Sequence, residues 1–541
     1  MKTQTINPWK RLNQLLKLEK TDISALYFYA VVSGILSLSL PLGIQSVIHF
    51  IQSGQITTSW VLLVMLVIAG VVLTGVMQIM QLRITENIQQ RIFVHYSFDF
   101  AHRFPRFNRQ ALSGKIPVEL MNRFFDVISL QKGFSKVLLD FTSALLQIVF
   151  SLVVLSLYHP FYIAFSILLV LLLVIIFRPI LKQGLATSLT ESKHKYSTAY
   201  WLQEIARADW SFRLIPNEKL SLNRLDEHAN AYLESRENHF QILWKQFIWM
   251  IAIKALIVAS LLGLGGYLVI SQQINLGQFV AAEVLILLLL GAVEKIIQSL
   301  ETLYDVCTSL EKLEQVRDIP VTFEENTAEQ QVELFPVELM KLLPEGSHQS
   351  ILHVDQGQHT QIIGINQLQI NTLLRKLIDP TVSKGYRPRW NYHIPDGNKL
   401  TSGFEQIGWF AKGSNLIEGS LTDNIVFGRT GISTEEIISA LNCTGLAHLY
   451  QDQAAGLDSL ISKSDKFLSE EERDRLLIAR AIISNPKLLV LSFIGSPMTT
   501  LQREELIGKI LEQNPGTTIV LATEHALQLN GNIIDFNDLK L

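Results

Sequence analysis

Three consecutive carboxylates, Glu470, Glu471 and Glu472, follow Ser469 and precede the apolar run Leu476, Leu477, Ile478. Ser469 with Glu472 three positions on reads as a capping box, in which each side chain closes on the other's backbone amide. A helix N-terminus with bare amides is a ready phosphate site; this one already carries acid. Each carboxylate stabilises the helix end by a few tenths to about 1 kcal/mol. Each would also repel a phosphate charge at contact range by ~4 kcal/mol at intermediate dielectric, before screening. The stretch reads as a well-capped helix. His525 stands alone and reads as a surface imidazole more readily than a catalytic one. Cys307 and Cys443 lie far apart without metal spacing, so neither a disulfide nor a metal site is expected. Glu283 and Lys254 fall inside apolar stretches, where a charge defaults to a functional candidate. Lys254 reads as snorkelling to the interface. For Glu283, pore-facing, paired and substrate-contacting roles are all open.

The elements that must position these groups come in two kinds. Ser464–Met498 reads as a polar turn, an amphipathic helix, a break at Ser484-Asn485-Pro486, and the buried strand Leu488–Leu491. From about 347 to 541 short apolar strands alternate with helices, as in an α/β domain. Upstream, six stretches approach the ~20 apolar residues that cross hydrocarbon. They cover about 24–50, 59–82, 134–158, 160–181, 247–273 and 276–300. The chain of 541 residues is 48% hydrophobic and 18% charged, and its net charge of −3 points to no nucleic-acid partner. The connections around 54–58, 158–160 and 271–277 are short and free of Lys and Arg. Those around 83–133 and 182–246 are long and basic, which places them and both termini on the cytoplasmic face of a plasma (inner) membrane. Residues 1–22, with Trp9, Leu12, Leu15 and Leu16, suit an amphipathic helix on the membrane surface or an ordinary surface helix. Residues 311–346 are polar and acidic and read as a linker.

The frame Leu468, Ser469, Arg473, Arg475, Ala479, Arg480, Ala481, Asn485, Pro486 resembles the nucleotide-binding domain of ABC transporters. Leu416, Gly419, Asn424, Ile425 and Gly428 extend the likeness upstream, and 104–127 with 202–218 look like the intracellular loops of the exporter type. The wording of 114–127 is nearest to toxin and bacteriocin secretion proteins, whose N-terminal peptidase domain is expected to be missing here. The resemblance implies a six-helix membrane domain (23–310) followed by an α/β P-loop-type nucleotide-binding domain (347–541). It also implies coupling-loop roles for Phe107, Asn108, Arg109, Gly114, Glu204 and Arg207.

The resemblance further implies where catalytic groups should stand, and the sequence departs from it there. A phosphate-binding loop needs G-x-x-x-x-G-K-[ST], with glycines, a cation and a metal-binding hydroxyl. Aligned on Gly364, those last positions hold Gln369, Ile370 and Asn371, followed by Thr372; Gln367 also replaces a usual glycine. Lys412 stands at the Q-loop glutamine, Ser492-Phe493 at the Asp-Glu ending the Walker B strand, and Glu524 at the switch histidine, with His525 one position late. At the signature, Glu470, Glu471 and Glu472 replace Gly-Gly-Gln. The chain is therefore expected to be ATPase-inactive alone, with no cofactor or metal of its own and any ATP and Mg²⁺ held by a partner subunit. The implied setting is a dimer with another half-transporter in the bilayer, for peptide or protein secretion, with a membrane-fusion adaptor as a further partner. The alternatives are a non-transporting structural or regulatory scaffold and, less supported, an ATP-driven homodimer.

Overall fold

The computed structural model describes residues 8–53, 58–108, 111–112, 117–214, 218–321, 333–342, 347–364, 366–378, 386–391, 404–452, 455–461 and 468–539. The chain divides into two compact units, one of 1–105 with 114–318, the other of 106–113 with 319–541.

The first unit is helical: α1 (Pro8–Leu18), α2 (Lys20–Ser37), α3 (Ser39–Ser53), α4 (Thr58–Arg103), α5 (Pro117–Met121), α6 (Asp126–Tyr158), α7 (Pro160–Arg207), α8 (Asp209–Leu214), α9 (Glu218–Ser260), α10 (Gly266–Ile270) and α11 (Leu276–Arg317). Among the described residues, six stretches are long and apolar enough to span a membrane, with α2–α3 forming the first and α9–α10, joined by a π-helical turn, the fifth. Local chemistry sets their starts. His159 accepts the Phe161 amide ahead of Pro160 at the head of α7, and Asn275 with Gln278 forms a capping box for α11. At 48 residues, α7 is about 72 Å long at ~1.5 Å per residue, so much of it lies outside a ~30 Å hydrocarbon layer. α11 continues to Arg317, so the first part of the stretch read as linker is helix.

Helix packing here depends on small residues and paired charges. A Cβ on Gly184 of α7 would stand 2.3 Å from the Tyr304 ring, so only glycine allows α7 to lie this close to α11. Lys254, read as snorkelling, pairs with Glu294 at 2.5 Å, joining α9 to α11. Lys295 pairs with Asp140 of α6 at 3.0 Å. Apolar surroundings favour such pairing, because a lone charge there is costly. Glu283 is exposed on α11, and among the described residues it forms no ion pair. The apolar side of α1 is covered by protein: Trp9 and Leu12 pack against the cluster of Leu185, Leu243, Leu300 and Tyr304. Arg11 is buried and pairs with Asp318 at 2.7 Å and Glu311 at 3.4 Å, while Lys10 and Lys17 stay exposed. The mean sequence pattern could not separate protein from membrane as the cover for that apolar stripe.

The second unit holds an antiparallel sheet of β1 (Val337–Leu342), β2 (His348–Val354) and β4 (Tyr386–Trp390), ordered β2-β1-β4, and a parallel sheet ordered β10-β3-β9-β8-β5. The parallel strands are β3 (His359–Ile363), β5 (Ile407–Ala411), β8 (Leu488–Ser492), β9 (Thr518–Thr523) and β10 (Gly531–Asp535). A short pair, β6 (Gly419–Ser420) and β7 (Leu460–Ile461), lies apart from it. The helices are α12 (Gln367–Ile378), α13 (Leu421–Val426), α14 (Thr434–Cys443), α15 (His448–Gln451), α16 (Glu470–Ile482) and α17 (Thr500–Gln513). β8 is wholly buried: Leu488 and Val490 enter the core beside α12, while Leu489 and Leu491 enter the core beside α16 and α17. This is why the strand reads as a continuous apolar run. Leu489→Asp puts an unpaired carboxylate in the second core and is expected to cost about 4 kcal/mol or more. Limited proteolysis of the purified protein checks it: residues 347–541 should become the first to be cut, and unchanged protection would contradict this core assignment.

Candidate functional site

Parallel strands present their carboxyl ends at one edge, where ligands of open α/β sheets bind. Here β3, β9, β8 and β5 are neighbours, and their ends deliver Gly364, Glu524, Ser492-Phe493 and Lys412 to that edge.

After β3, Gly364 donates its amide to the Thr523 carbonyl at 3.0 Å. A Cβ on Gly364 would lie 2.9 Å from both Ile370 Cδ1 and Phe536 Cβ. Ile370 is 0% exposed and packs with Ile362, Val490, Ile494 and Phe536. The side chain at the position where a phosphate loop carries its lysine therefore points into the core. The first turn of α12 is answered internally, since the Asn366 side chain accepts from the Gln369 amide at 3.1 Å. Gln369 is exposed, and Thr372 donates to the Leu368 carbonyl at 2.6 Å. Asn371 has a buried amide oxygen with no hydrogen-bond partner.

At the end of β8, Ser492 is fully buried and its hydroxyl lacks a partner. Phe493 is 0% exposed, 5.9 Å from the Phe410 ring between centroids, with the Arg503 guanidinium 5.6 Å from its own. After β9, Glu524 accepts from Arg503 at 2.6 Å and from the Gly495 amide at 2.9 Å. Burial pushes its carboxyl up, but these donors outweigh burial and hold it below the ordinary range. His525 is exposed, and among the described residues only its carbonyl is used, accepting from the Thr523 hydroxyl.

The helix at Glu470 begins as the sequence predicts, with Ser469 and Glu472 closing a capping box. Each of the three carboxylates is engaged within the chain. Glu470 pairs with Lys412 at 3.0 Å, and this cation holds its carboxyl below the usual range. Glu471 accepts from Arg475 at 2.8 Å and Gln502 at 2.9 Å. Glu472 also meets His448 at 2.8 Å; burial raises its carboxyl, but the Ser469 amide and hydroxyl and His448 lower it further. Leu468 is half-buried against the core of this region. Asp474 accepts from the Ser496 hydroxyl at 2.7 Å, lies 4.0 Å from Lys412, and is pushed up by burial.

Of the loop residues, Phe107 and Asn108 belong to the second unit: Phe107 bridges Val321, and the Asn108 amide donates to the Pro320 carbonyl. Glu204 and Arg207 pair with each other in the last turn of α7. Arg109 and Gly114 lie outside the described residues. Arg503, Asp474 and Ser496 were missed in the sequence. Arg503 had a readable signal, because it occupies the same helical stripe as buried Leu506, Ile507 and Ile510.

No protein-family model matches the chain. The alpha-hemolysin translocation ATP-binding protein HlyB of Escherichia coli O157:H7 is 25% identical over 325 residues, 57% of this chain and 45% of that protein. The lactococcin-A transport/processing ATP-binding protein LcnC of Lactococcus lactis is 20% identical over 447 residues, 78% of this chain and 60% of that one. A bacterial Atm1-family ABC exporter, solved with ATP bound, aligns at a TM-score of 0.76 and 16% identity, covering 95% of this chain and 92% of the other. The chain has the fold of an exporter-type ABC half-transporter. The chain spans less than two thirds of the length of the curated relatives it matches. Its six long apolar helices make it a multi-pass membrane protein.

Glu524→Ala removes the carboxylate that answers Arg503, whose side chain is 9% exposed, and is expected to cost about 1–3 kcal/mol. Because the folded carboxyl lies below its unfolded value near ~4.3, this stabilisation is present above that pH and lost as pH falls through the folded value. Denaturation followed between neutral and acid pH checks both points: the variant and parent should converge on the acid side.

Proposed function

We propose that the half-transporter is the membrane subunit of an exporter-like system for a peptide or protein, working beside a nucleotide-competent half-transporter, and that it does not hydrolyse ATP alone. The observation carrying this reading is that its own side chains fill the strand-end edge. Ile370 and Phe493 lie in the cores, and Lys412 and Glu524 are ion-paired. A Mg²⁺-nucleotide needs a cation on its phosphates, a hydroxyl and a carboxylate for the metal, and a group orienting the nucleophile. Ile370, Asn371, Ser492 and Phe493 at those positions do not fit it. The signature amides are likewise taken by Ser469 and Glu472, with Glu470 and Glu471 beside them.

The names of the hemolysin and lactococcin relatives support the secreted-peptide or protein class. The basic long connections support cytoplasmic termini, and the secretion relatives support a plasma-membrane setting and a membrane-fusion adaptor as a further partner. A second reading, a structural or regulatory membrane scaffold, is favoured by the ion pairs that close the edge. Affinity purification from the native membrane separates the two: an intact half-transporter as the second chain supports the first, a non-ABC complex the second.

Calorimetry on the purified protein should show no ATP binding at physiological Mg²⁺, and saturable submillimolar binding would overturn the assignment. Ile370→Lys should not restore hydrolysis and should destabilise the domain, because it forces an ammonium into the position now holding a 0%-exposed side chain. Raised ATPase activity with unchanged thermal stability would contradict that placement.

A further inference from the structure

In the first unit, three cations surround one aromatic ring on α7. The Arg123 guanidinium carbon lies 3.6 Å from the Tyr196 ring centroid, Lys195 Nζ 5.3 Å and Lys312 Nζ 5.8 Å. Two carboxylates without an ion pair among the described residues act on them: Asp126, which is buried and accepts from the Tyr196 hydroxyl, and Asp305, which acts on Lys195. Glu311, the other acid acting on Lys312, is already bound to Arg11 at 3.4 Å. Lys312 is only 8% exposed, and among the described residues it has neither a hydrogen bond nor an ion pair. A terminal nitrogen of Arg123 is also buried without an acceptor. The buried Lys312 ammonium and this Arg123 nitrogen thus lack a direct anionic partner among the described residues.

A buried ammonium without a partner is costly, so a counter-charge belongs here. We propose that Arg123, Lys195 and Lys312 form a binding site for a soluble phosphate-bearing anion. A guanidinium fork and two ammonium point charges suit the separate oxygens of one phosphate. A phosphate offers three acceptor oxygens, enough to meet both unpartnered groups at once. Exposed Lys195 leaves the cluster open to solvent on one side. The depth separates a soluble phosphate from a lipid headgroup. α11 begins at Leu276, and at ~1.5 Å per residue Lys312 lies about 54 Å along it. A bilayer with both headgroup layers is only about 40–45 Å thick, so the site lies beyond it.

The test uses the full chain in nanodiscs, with thermal unfolding followed in inorganic phosphate against chloride at equal ionic strength. Phosphate should raise the midpoint saturably, and Lys195→Ala, at the exposed rim, should weaken the half-saturating concentration at least tenfold. Lys312→Met should abolish the phosphate response while raising the midpoint in phosphate-free buffer, because it removes an unpaired buried charge. A merely structural lysine would lower that midpoint instead. The proposal is overturned by equal midpoints in phosphate and chloride, or by a phosphate response unchanged in Lys195→Ala. A midpoint raised by anionic phospholipid in the disc but not by phosphate would also overturn it.

Discussion

Because parallel strands end together, one edge of the second unit must accommodate Gly364, Lys412, Ser492, Phe493 and Glu524 side by side. The chain satisfies that crowding without an added group. Apolar side chains turn away from the edge into the cores on either face of the sheet, as Ile370 and Phe493 do. Polar ones find partners across it. Arg503 is the critical one, since a guanidinium with little exposure needs a charged acceptor; Glu524 supplies it and reaches the Gly495 amide with its other oxygen. From there Arg503 also donates to the Ser496 carbonyl, and Ser496 donates to Asp474 beside Lys412 and Glu470. The strand ends are tied by side chains in a continuous chain of contacts.

The membrane unit follows the same accounting of charge in a drier setting. Lys254 with Glu294 and Asp140 with Lys295 bring opposite charges together where helices cross, and Gly184 lets α7 approach Tyr304 closely enough for Ser188 to reach Thr308 at 2.9 Å. Where the balance fails the molecule is informative. Glu283 faces outward without a partner among the described residues, and Lys312, beside Arg123 and Lys195, has no ion pair among them.

Hydrophobic length and period made the architecture legible in the sequence: six long apolar stretches, then alternating short strands and helices. The capping box at Ser469 and Glu472 was equally readable, because its spacing is local. Local pattern also exposed the substitutions Ile370, Lys412, Phe493 and Glu524, since a motif is a comparison of residue types at fixed spacing. What local pattern could not supply was where those side chains point. That Ile370 lies beneath Gly364, that Lys412 reaches Glu470, and that Arg503 answers Glu524 depend on strands far apart in the chain lying next to one another. The cover over α1, the Lys254 pair and the cations around Tyr196 are of the same kind. Sequence periodicity determines which side of an element is apolar or charged; only the tertiary packing of distant elements decides what meets that side, because burial and Coulomb energy depend on distance in space and not along the chain.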